Sequence, residues 1–132
     1  MTAISGSIRS WTTRIRENNF KLGWRKEGVQ RSPEELLILL TTEIVETYEE
    51  WRNGRLINEI YFRRKNGTES KVPFDVGSPV LHKPEGIPIE LADIMIRLLD
   101  TCDEWGIDIE EAMELKMAYN KTRGFRHGGK RT

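Results

Sequence analysis

The sequence predicts an all-α protein, a four-helix bundle with a small β-hairpin or loop insertion between the second and third helices. Two observations predict the helices: helix-start signals at Ser32 and Asp108, and the largely apolar stretch 86–100. A third observation predicts the insertion, because helical periodicity stops over residues 55–84, where strand-favouring and turn residues take over.

Length, charge balance and cysteine content limit the class of protein to which this chain can belong. Its 132 residues suit one domain, residues 1–132, with a sizeable core. Basic and acidic residues are equal in number, 21 of each, so no net field attracts nucleic acid or an anionic membrane. The single cysteine, Cys102, excludes an internal disulfide and fits a reducing compartment. With no apolar segment long enough to span a bilayer and no signal-peptide core, we expect a soluble, cytoplasmic protein.

The first helix is predicted over residues 5–19, with Ser5 or Ser7 as its N-cap. Three apolar side chains recur there at helical spacing: Ile8, Trp11 and Ile15. A loop follows, and three large apolar side chains are expected to anchor it onto the body of the fold: Phe20, Leu22 and Trp24.

The second helix has a sharper start signal. Ser32 is the N-cap, Pro33 takes the first helical position and Glu35 completes a capping box. The helix is predicted to end near Asn53, where Gly54 is a natural stop. Six apolar residues at helical spacing predict its core face: Leu36, Leu37, Leu40, Ile44, Tyr48 and Trp51.

The remaining elements follow from turn and cap residues. Within the 55–84 insertion, Asn66-Gly67 predicts a two-residue hairpin turn, and a proline- and glycine-punctuated loop follows. The third helix is predicted from near Pro88 to Gly106. The start of the fourth helix is predicted by Asp108 as its N-cap and by Glu111 in the capping-box position. A basic tail, 121–132, ends the chain.

The third helix is apolar around well over half of its circumference. Its polar strip includes Glu90, Asp93 and Arg97. A carboxylate buried without a partner is costly, so this strip must face a partner, an ion or a wet cleft. Arg97 is expected to pair with an acid of this strip or of the second helix. The apolar arc is too wide for one four-helix unit to cover, which predicts a homodimer or homotetramer.

Two pairs of acids at i, i+3 spacing predict a metal site. Glu43 and Glu46 share a face of the second helix, as Glu90 and Asp93 do on the third. Four carboxylates lining one cleft would repel one another unless positive charge compensated them. All-oxygen ligands suit Mg²⁺ or Mn²⁺, and Mg²⁺ commonly combines a few carboxylates with phosphate oxygens, which points to nucleotide or other phosphoester chemistry. From the residues alone, a solvated acidic surface remains the alternative.

The order of these motifs resembles a known family. ExxE on one helix, ELAD on a later one and then GIDIEEAMELKMAYNKTR are similar to the MazG-like nucleoside triphosphate pyrophosphohydrolases. Their all-α superfamily also contains dimeric dUTPases and dCTP pyrophosphatases. The resemblance covers most of the chain and implies Mg²⁺-dependent hydrolysis of a nucleoside or deoxynucleoside triphosphate. Water would attack the α-phosphate to give the monophosphate and pyrophosphate, which suits nucleotide-pool house-cleaning.

The resemblance also implies roles for individual residues. It places the Mg²⁺ ligands on the two acid pairs: Glu43, Glu46, Glu90 and Asp93. One glutamate, Glu46 or Glu43, would take the proton of the attacking water. Lys116 and Asn120 look like the family's KxxxN element, which reaches substrate phosphate or sugar, and Arg123 is a further candidate for phosphate. The alternatives are a snorkelling lysine, an ordinary helix-end asparagine and a solvated basic tail.

Two departures from the family pattern leave alternatives open. Thr42 stands where a leading glutamate is often found, so either the shorter ExxE suffices or Glu50 completes the set from one turn on. The 55–84 insertion lengthens the connection between the motifs, and it either shapes the substrate pocket or is decoration. Two other functions remain: a non-catalytic helical interaction module, and a narrow dUTPase- or dCTPase-like enzyme.

Overall fold

The computed structural model describes residues 7–131 of the chain. Within these residues the elements are α1 (Ile8–Lys21), α2 (Pro33–Arg52), β1 (Tyr61–Arg63), β2 (Glu69–Ser70), β3 (Lys83–Glu85), α3 (Ile87–Glu104), α4 (Ile109–Thr122) and α5 (Arg126–Gly129). The fold is therefore mainly helical, as predicted, with a small sheet inserted between α2 and α3. No helix between residues 7 and 131 combines the length and apolar character needed to cross a membrane.

The chain divides into two compact units. One contains residues 7–28 and 99–131, and the other contains residues 29–98. The first unit thus holds α1, α4, α5 and the end of α3, whereas the second holds α2, the sheet and the first part of α3. The arrangement of the four long helices as one bundle and one domain, 1–132, stays a prediction.

Capping residues set the helix starts in the first unit. The Ser7 hydroxyl accepts a hydrogen bond from Ser10 N at 3.0 Å, so Ser7 is the N-cap of α1; Ser5 lies outside the described residues. The helix ends at Lys21, two residues beyond the predicted end. Asp108 caps α4 by accepting a hydrogen bond from Glu111 N at 3.1 Å, as predicted. The basic tail, 121–132, begins within the last turn of α4 and contains one short helix, α5.

The loop after α1 is held by charge. Arg25 reaches three acids at the end of α3: Asp100, Asp103 and Glu104, at 3.2, 2.8 and 3.6 Å. Its guanidinium also covers the Phe20 ring, 4.9 Å from the ring centroid. By contrast, Leu22 and Trp24 are more than 60% exposed, so their predicted role as anchors is wrong. The ion pairs of Arg25 replace them.

The buried stripe of α2 lies beside the predicted one. Ser32 caps the helix through Glu35 N, and Leu36 is buried, both as predicted. Four members of the predicted core face are instead more than half exposed: Leu37, Ile44, Tyr48 and Trp51. The buried or half-buried positions of α2 include three glutamates: Leu36, Leu39, Leu40, Glu43, Thr47, Glu49 and Glu50. This rotation has a polar cause, because bonds to Arg97 and to Tyr61 draw the acidic flank inward.

The insertion is a three-stranded antiparallel sheet in the order β2-β1-β3. The hairpin between β1 and β2 is present, but its turn is a three-residue loop, since Arg64 N donates to Thr68 O and Gly67 N donates to Arg64 O. β3 lies where a loop was predicted. Directly after β3, Gly86 approaches the backbone of Glu59 before α3 begins.

Candidate metal centre

Three of the four predicted metal ligands meet in the second unit. Glu43 comes from α2, whereas Glu90 and Asp93 come from successive turns at the start of α3. One carboxylate oxygen from each of these three residues lies within 4.8 Å of the others. Two helices therefore converge to present oxygen ligands at a spacing that one divalent cation could bridge.

The bonds of Glu43 leave one buried oxygen without a partner. Its Oε1 accepts from Arg97 Nε at 2.6 Å, which confirms that Arg97 pairs with an acid of the second helix. Its Oε2 is buried and has no hydrogen-bond partner among residues 7–131. A buried carboxylate oxygen without a donor costs free energy, and a bound cation would satisfy it.

Electrostatics at this cluster disfavour negative charge. Burial and the carboxylate of Glu46 raise the pKa of Glu90 to about 7, with further contributions from Asp93 and Glu43. Burial and Glu43 likewise raise the pKa of Asp93, although Arg97 and Lys83 act in the opposite direction. The neighbouring cations thus offset only part of the repulsion, and a divalent cation would complete the compensation.

The raised pKa of Glu90 predicts a specific pH dependence of stability. Between the ordinary value of 4.5 and about 7, the folded chain binds more protons at Glu90 than the unfolded chain does. The free energy of unfolding should therefore fall as the pH rises through this window, by roughly 1–2 kcal/mol after solvent screening. Urea unfolding in EDTA between about pH 4.5 and pH 7 measures this loss.

The same measurement in Mg²⁺ should show a smaller loss, since a bound cation favours the ionised carboxylate. Glu90→Gln should remove most of the pH dependence in EDTA. A wild-type chain whose stability stayed flat or rose over this window would contradict the assignment of a raised pKa to Glu90.

Glu46, the fourth predicted ligand, lies outside the close group of three. It is exposed and lines an adjoining cleft together with Glu90. Glu50 is held differently, because Tyr61 donates its hydroxyl to this carboxylate at 2.9 Å. Thr42 donates its own hydroxyl to Ile38 O within α2, so its side chain is used by the helix itself.

The adjoining cleft has a volume of about 490 Å³ and mixed charge. Its lining includes acids of α2 and α3 and cations of the insertion: Glu46, Glu49, Glu50, Asn53, Arg55, Tyr61, Arg63, Lys83 and Glu90. The insertion therefore forms one wall of the cleft beside the carboxylates. Sequence reasoning missed Tyr61, Arg63 and Lys83; the signal available was their alternation along two short segments, 61–63 and 83–85.

The predicted substrate-binding residues lie in the other compact unit, at the end of α4. Lys116 and Asn120 are one turn apart on this helix, and Arg123 is its C-cap. Both cations flank one ring, with Lys116 Nζ 5.3 Å and Arg123 Cζ 5.5 Å from the centroid of Tyr119. Asn120 Oδ1 is buried and without a hydrogen-bond partner among the described residues. Their part in substrate binding stays a prediction.

Comparison with known proteins gives one informative similarity. The chain is 33% identical over 63 residues to a protein of cyanophage S-2L named dATP/dGTP diphosphohydrolase. The aligned part covers 48% of this chain and 60% of the phage protein, less than two thirds of the latter's length. No protein-family model matches the chain, and no solved structure matches it.

Proposed function

We propose that this chain is a Mg²⁺-dependent hydrolase that cleaves a nucleoside or deoxynucleoside triphosphate to the monophosphate and pyrophosphate. The observation that carries the proposal is the convergence of Glu43, Glu90 and Asp93, whose ligand atoms lie within 4.8 Å of one another. The similarity to a phage protein named as a nucleotide diphosphohydrolase supports the same reaction class. Assignment to the MazG-like group and a house-cleaning role in the cytoplasm are parts of this proposal.

The cluster fits Mg²⁺ by its donor chemistry. Glu43, Glu90 and Asp93 offer only oxygen, and Glu43 Oε2 is a buried acceptor without a donor. These three residues would hold the ion, and Mn²⁺ would be accepted as a substitute. Mg²⁺ supplies charge neutralisation of the phosphates and a lower pKa for the attacking water.

Glu46 is the favoured proton acceptor of the two candidates. Glu43 is buried and already bound to Arg97, whereas Glu46 is exposed beside Glu90 in the cleft. A carboxylate in that position can take a proton from a water molecule placed in line with the α-phosphate. The water oxygen would bond to the α-phosphorus as the bond from that phosphorus to the bridging oxygen breaks, so that the monophosphate forms and pyrophosphate leaves.

Lys116, Asn120 and Arg123 are proposed to contact substrate phosphate or sugar. The two cations and the unpartnered buried oxygen of Asn120 support this role, because they gather at one end of α4. The purine names in the phage relative favour dATP or dGTP over the dUTP or dCTP of the narrower alternative.

We also propose that the chain forms a homodimer or homotetramer. Large apolar side chains on three helices support this assembly, since each of the following is at least half exposed in the single chain: Ile38, Ile44, Trp51, Met95, Met113, Leu115 and Tyr119. Exposed apolar surface of this extent is typical of a protein–protein contact.

A non-catalytic helical interaction module is the second candidate. The ion pair between Arg97 and Glu43 favours it, because this pair already neutralises one member of the cluster without a metal. Thermal unfolding with Mg²⁺ and a non-hydrolysable triphosphate separates the two candidates. Joint stabilisation supports the hydrolase, and indifference to both supports the module.

The direct test of the proposed function is product analysis with purified protein. Each common nucleoside and deoxynucleoside triphosphate is incubated with Mg²⁺ or with EDTA, and the products are separated by chromatography. We expect monophosphate and pyrophosphate in equal amounts, only with the divalent cation, and the highest kcat/KM for a purine deoxynucleotide. Release of inorganic phosphate with a nucleoside diphosphate would contradict attack at the α-phosphate.

A further inference from the structure

One face of the inserted sheet carries two cations side by side. Arg63 on β1 and Lys83 on β3 are directly opposite in the antiparallel register. Tyr61 and Glu85 are the next pair on the same face, since side chains two residues apart on a strand point the same way. All four positions follow from pairing between β1 and β3, so the register fixes the spacing of the charges.

Like charges directly opposite each other destabilise a sheet. Of these four positions, one is an acid that compensates the pair: Glu85 Oε2 lies 3.2 Å from Arg63 Nη2, and its Oε1 lies 3.7 Å from Lys83 Nζ. The Lys83 side chain is 77% exposed. These four positions therefore carry one net positive charge, although the opposite side of the same cleft is lined by acids of α2 and α3: Glu46, Glu49, Glu50 and Glu90. A ligand with an anionic end beside the sheet and a cation beside the acids would offset both.

These two cations share a cleft with Glu90, one member of the carboxylate cluster. Arg63 and Lys83 line the same cleft of about 490 Å³ as Glu46 and Glu90. The field of Lys83 also reaches Asp93, whose pKa it lowers against the stronger effects of burial and Glu43. The cleft thus has one end, at the carboxylates, that suits a cation and another end, at the sheet, that suits an anion. A ligand that reaches from the carboxylates to the sheet would contact both ends.

Arg55 also lines the cleft, but its guanidinium is already bound by neighbouring side chains of the insertion. It binds Glu69 at 2.6 Å and Glu59 at 3.1 Å, and it stacks over the Tyr61 ring at 3.5 Å from the centroid. A guanidinium with two carboxylate partners and an aromatic face has little capacity left for a third anion. Arg63 is engaged as well, since its Nε and Nη2 donate to Glu85 and its Nη1 donates to Gly67 O. However, Arg63 and Lys83 share the single carboxylate of Glu85, so their charges are the least compensated on this wall of the cleft.

We propose that Arg63 and Lys83 bind the β- and γ-phosphates of the triphosphate, the part of the substrate that leaves as pyrophosphate. The inference rests on the proposed function for the identity of the substrate. With the α-phosphate at the carboxylate cluster, the two terminal phosphates extend along the cleft toward the sheet. The insertion then acts as a clamp for the leaving group, and a nucleoside monophosphate makes no contact with it.

The test compares Lys83→Gln and the double variant Arg63→Gln/Lys83→Gln with the wild type. Lys71→Gln is the matched control, because Lys71 is an exposed lysine of the same insertion that does not line the cleft. Calorimetry measures binding of Mg²⁺-tripolyphosphate and of Mn²⁺ alone, and kinetics measures KM for the triphosphate. Each lost contact should weaken tripolyphosphate binding and raise KM about tenfold.

Several controls separate phosphate binding from a structural role. Lys83→Arg should retain most of the affinity, and affinity for Mn²⁺ alone should be unchanged or higher in Lys83→Gln, since a nearby cation is removed. Inhibition by the monophosphate should be unaffected, whereas inhibition by pyrophosphate should weaken. Because Lys83 is exposed, its single variant tests the site even where the double variant does not fold.

The outcomes distinguish the two proposals. Failure of the wild type to release pyrophosphate from any triphosphate contradicts the proposed function, while the tripolyphosphate measurement still tests the two cations. Equal tripolyphosphate affinity in Lys83→Gln, the double variant and Lys71→Gln overturns the inference. A wild-type chain that does not bind Mg²⁺-tripolyphosphate overturns it as well.

Discussion

Replacing Glu90 by glutamine is expected to abolish pyrophosphate release while leaving the fold intact. Glutamine keeps the size and one oxygen of the side chain but removes the charge that a divalent cation requires. The loss of several kcal/mol of charge stabilisation corresponds to a fall of more than about 100-fold in kcat. Steady-state release of pyrophosphate under saturating Mg²⁺ measures this effect.

The same substitution should stabilise the metal-free chain at pH 7 and above. Glu90 is the member of the cluster whose pKa rises to about 7, so its neutral replacement removes a repulsive charge. Glu34→Gln is the matched control, because Glu34 is an exposed acid at the start of the same helix that carries Glu43. Glu90→Gln with wild-type kcat, or with a lower stability than Glu34→Gln in EDTA, would exclude the proposed role of this carboxylate.

Replacing Gly86 by alanine is expected to cost about 2–4 kcal/mol of stability. A Cβ at this position would lie 2.3 Å from the carbonyl oxygen of Glu59, and the backbone φ of +117° disfavours any side chain. The neighbouring atom is backbone, so relief requires a shift of the chain between β3 and α3. Urea unfolding measures the loss of stability.

Gly77→Ala isolates the cost of the backbone conformation alone. Gly77 has a φ of +77°, but a Cβ there would have nothing within 4 Å. We expect this control to lose about 1 kcal/mol and to keep its activity. Gly86→Ala should also lose activity, because the shift displaces Glu90 four residues later. Equal losses of stability in the two variants would show that the contact with Glu59 can relax.

Local signals predict the helices of this chain well. Ser32 with Glu35 and Asp108 with Glu111 each form the first hydrogen bond of the capping pattern, in which the side chain of the N-cap residue accepts from the backbone N–H three residues later. A cap depends on residues three positions apart, so neighbouring sequence is enough to identify it. The partner of Arg97 is less closely determined, because the sequence allows an acid of its own strip or of the second helix. The structure gives the second-helix acid Glu43, 54 residues away.

Features that depend on distant residues could not be predicted in this way. β3 carries Pro84 and has only three residues, so it forms a strand because β1 is available to pair with it, 20 or more residues earlier. The face that α2 buries was misjudged for the same reason. Apolar spacing favours the stripe through Ile44, whereas bonds to Arg97 and Tyr61 turn Glu43 and Glu50 inward.

The candidate site likewise has a part that local sequence predicts and a part that depends on distant residues. The sequence pairs Glu43 with Glu46 and Glu90 with Asp93, but only tertiary structure shows that Glu46 lies outside the close group. Lys116, Asn120 and Arg123 belong to the other compact unit, so their relation to the carboxylates remains a prediction. The cations of the insertion form no motif: alternation along 61–63 and 83–85 is a weak local signal, and strand register brings the two segments together.

The guanidinium of Arg97 gives the acidic cluster a tethered counterion. Because this counterion is part of the chain, the charge on Glu43 is offset before any ion arrives, and folding does not have to wait for metal. Arg97 occupies Oε1 of Glu43, so a divalent cation would meet the other oxygen, Oε2, which is buried and has no hydrogen-bond partner among residues 7–131. The arginine and a bound metal would thus share one carboxylate, each on its own oxygen, and both positive charges would compensate the acids of the cluster.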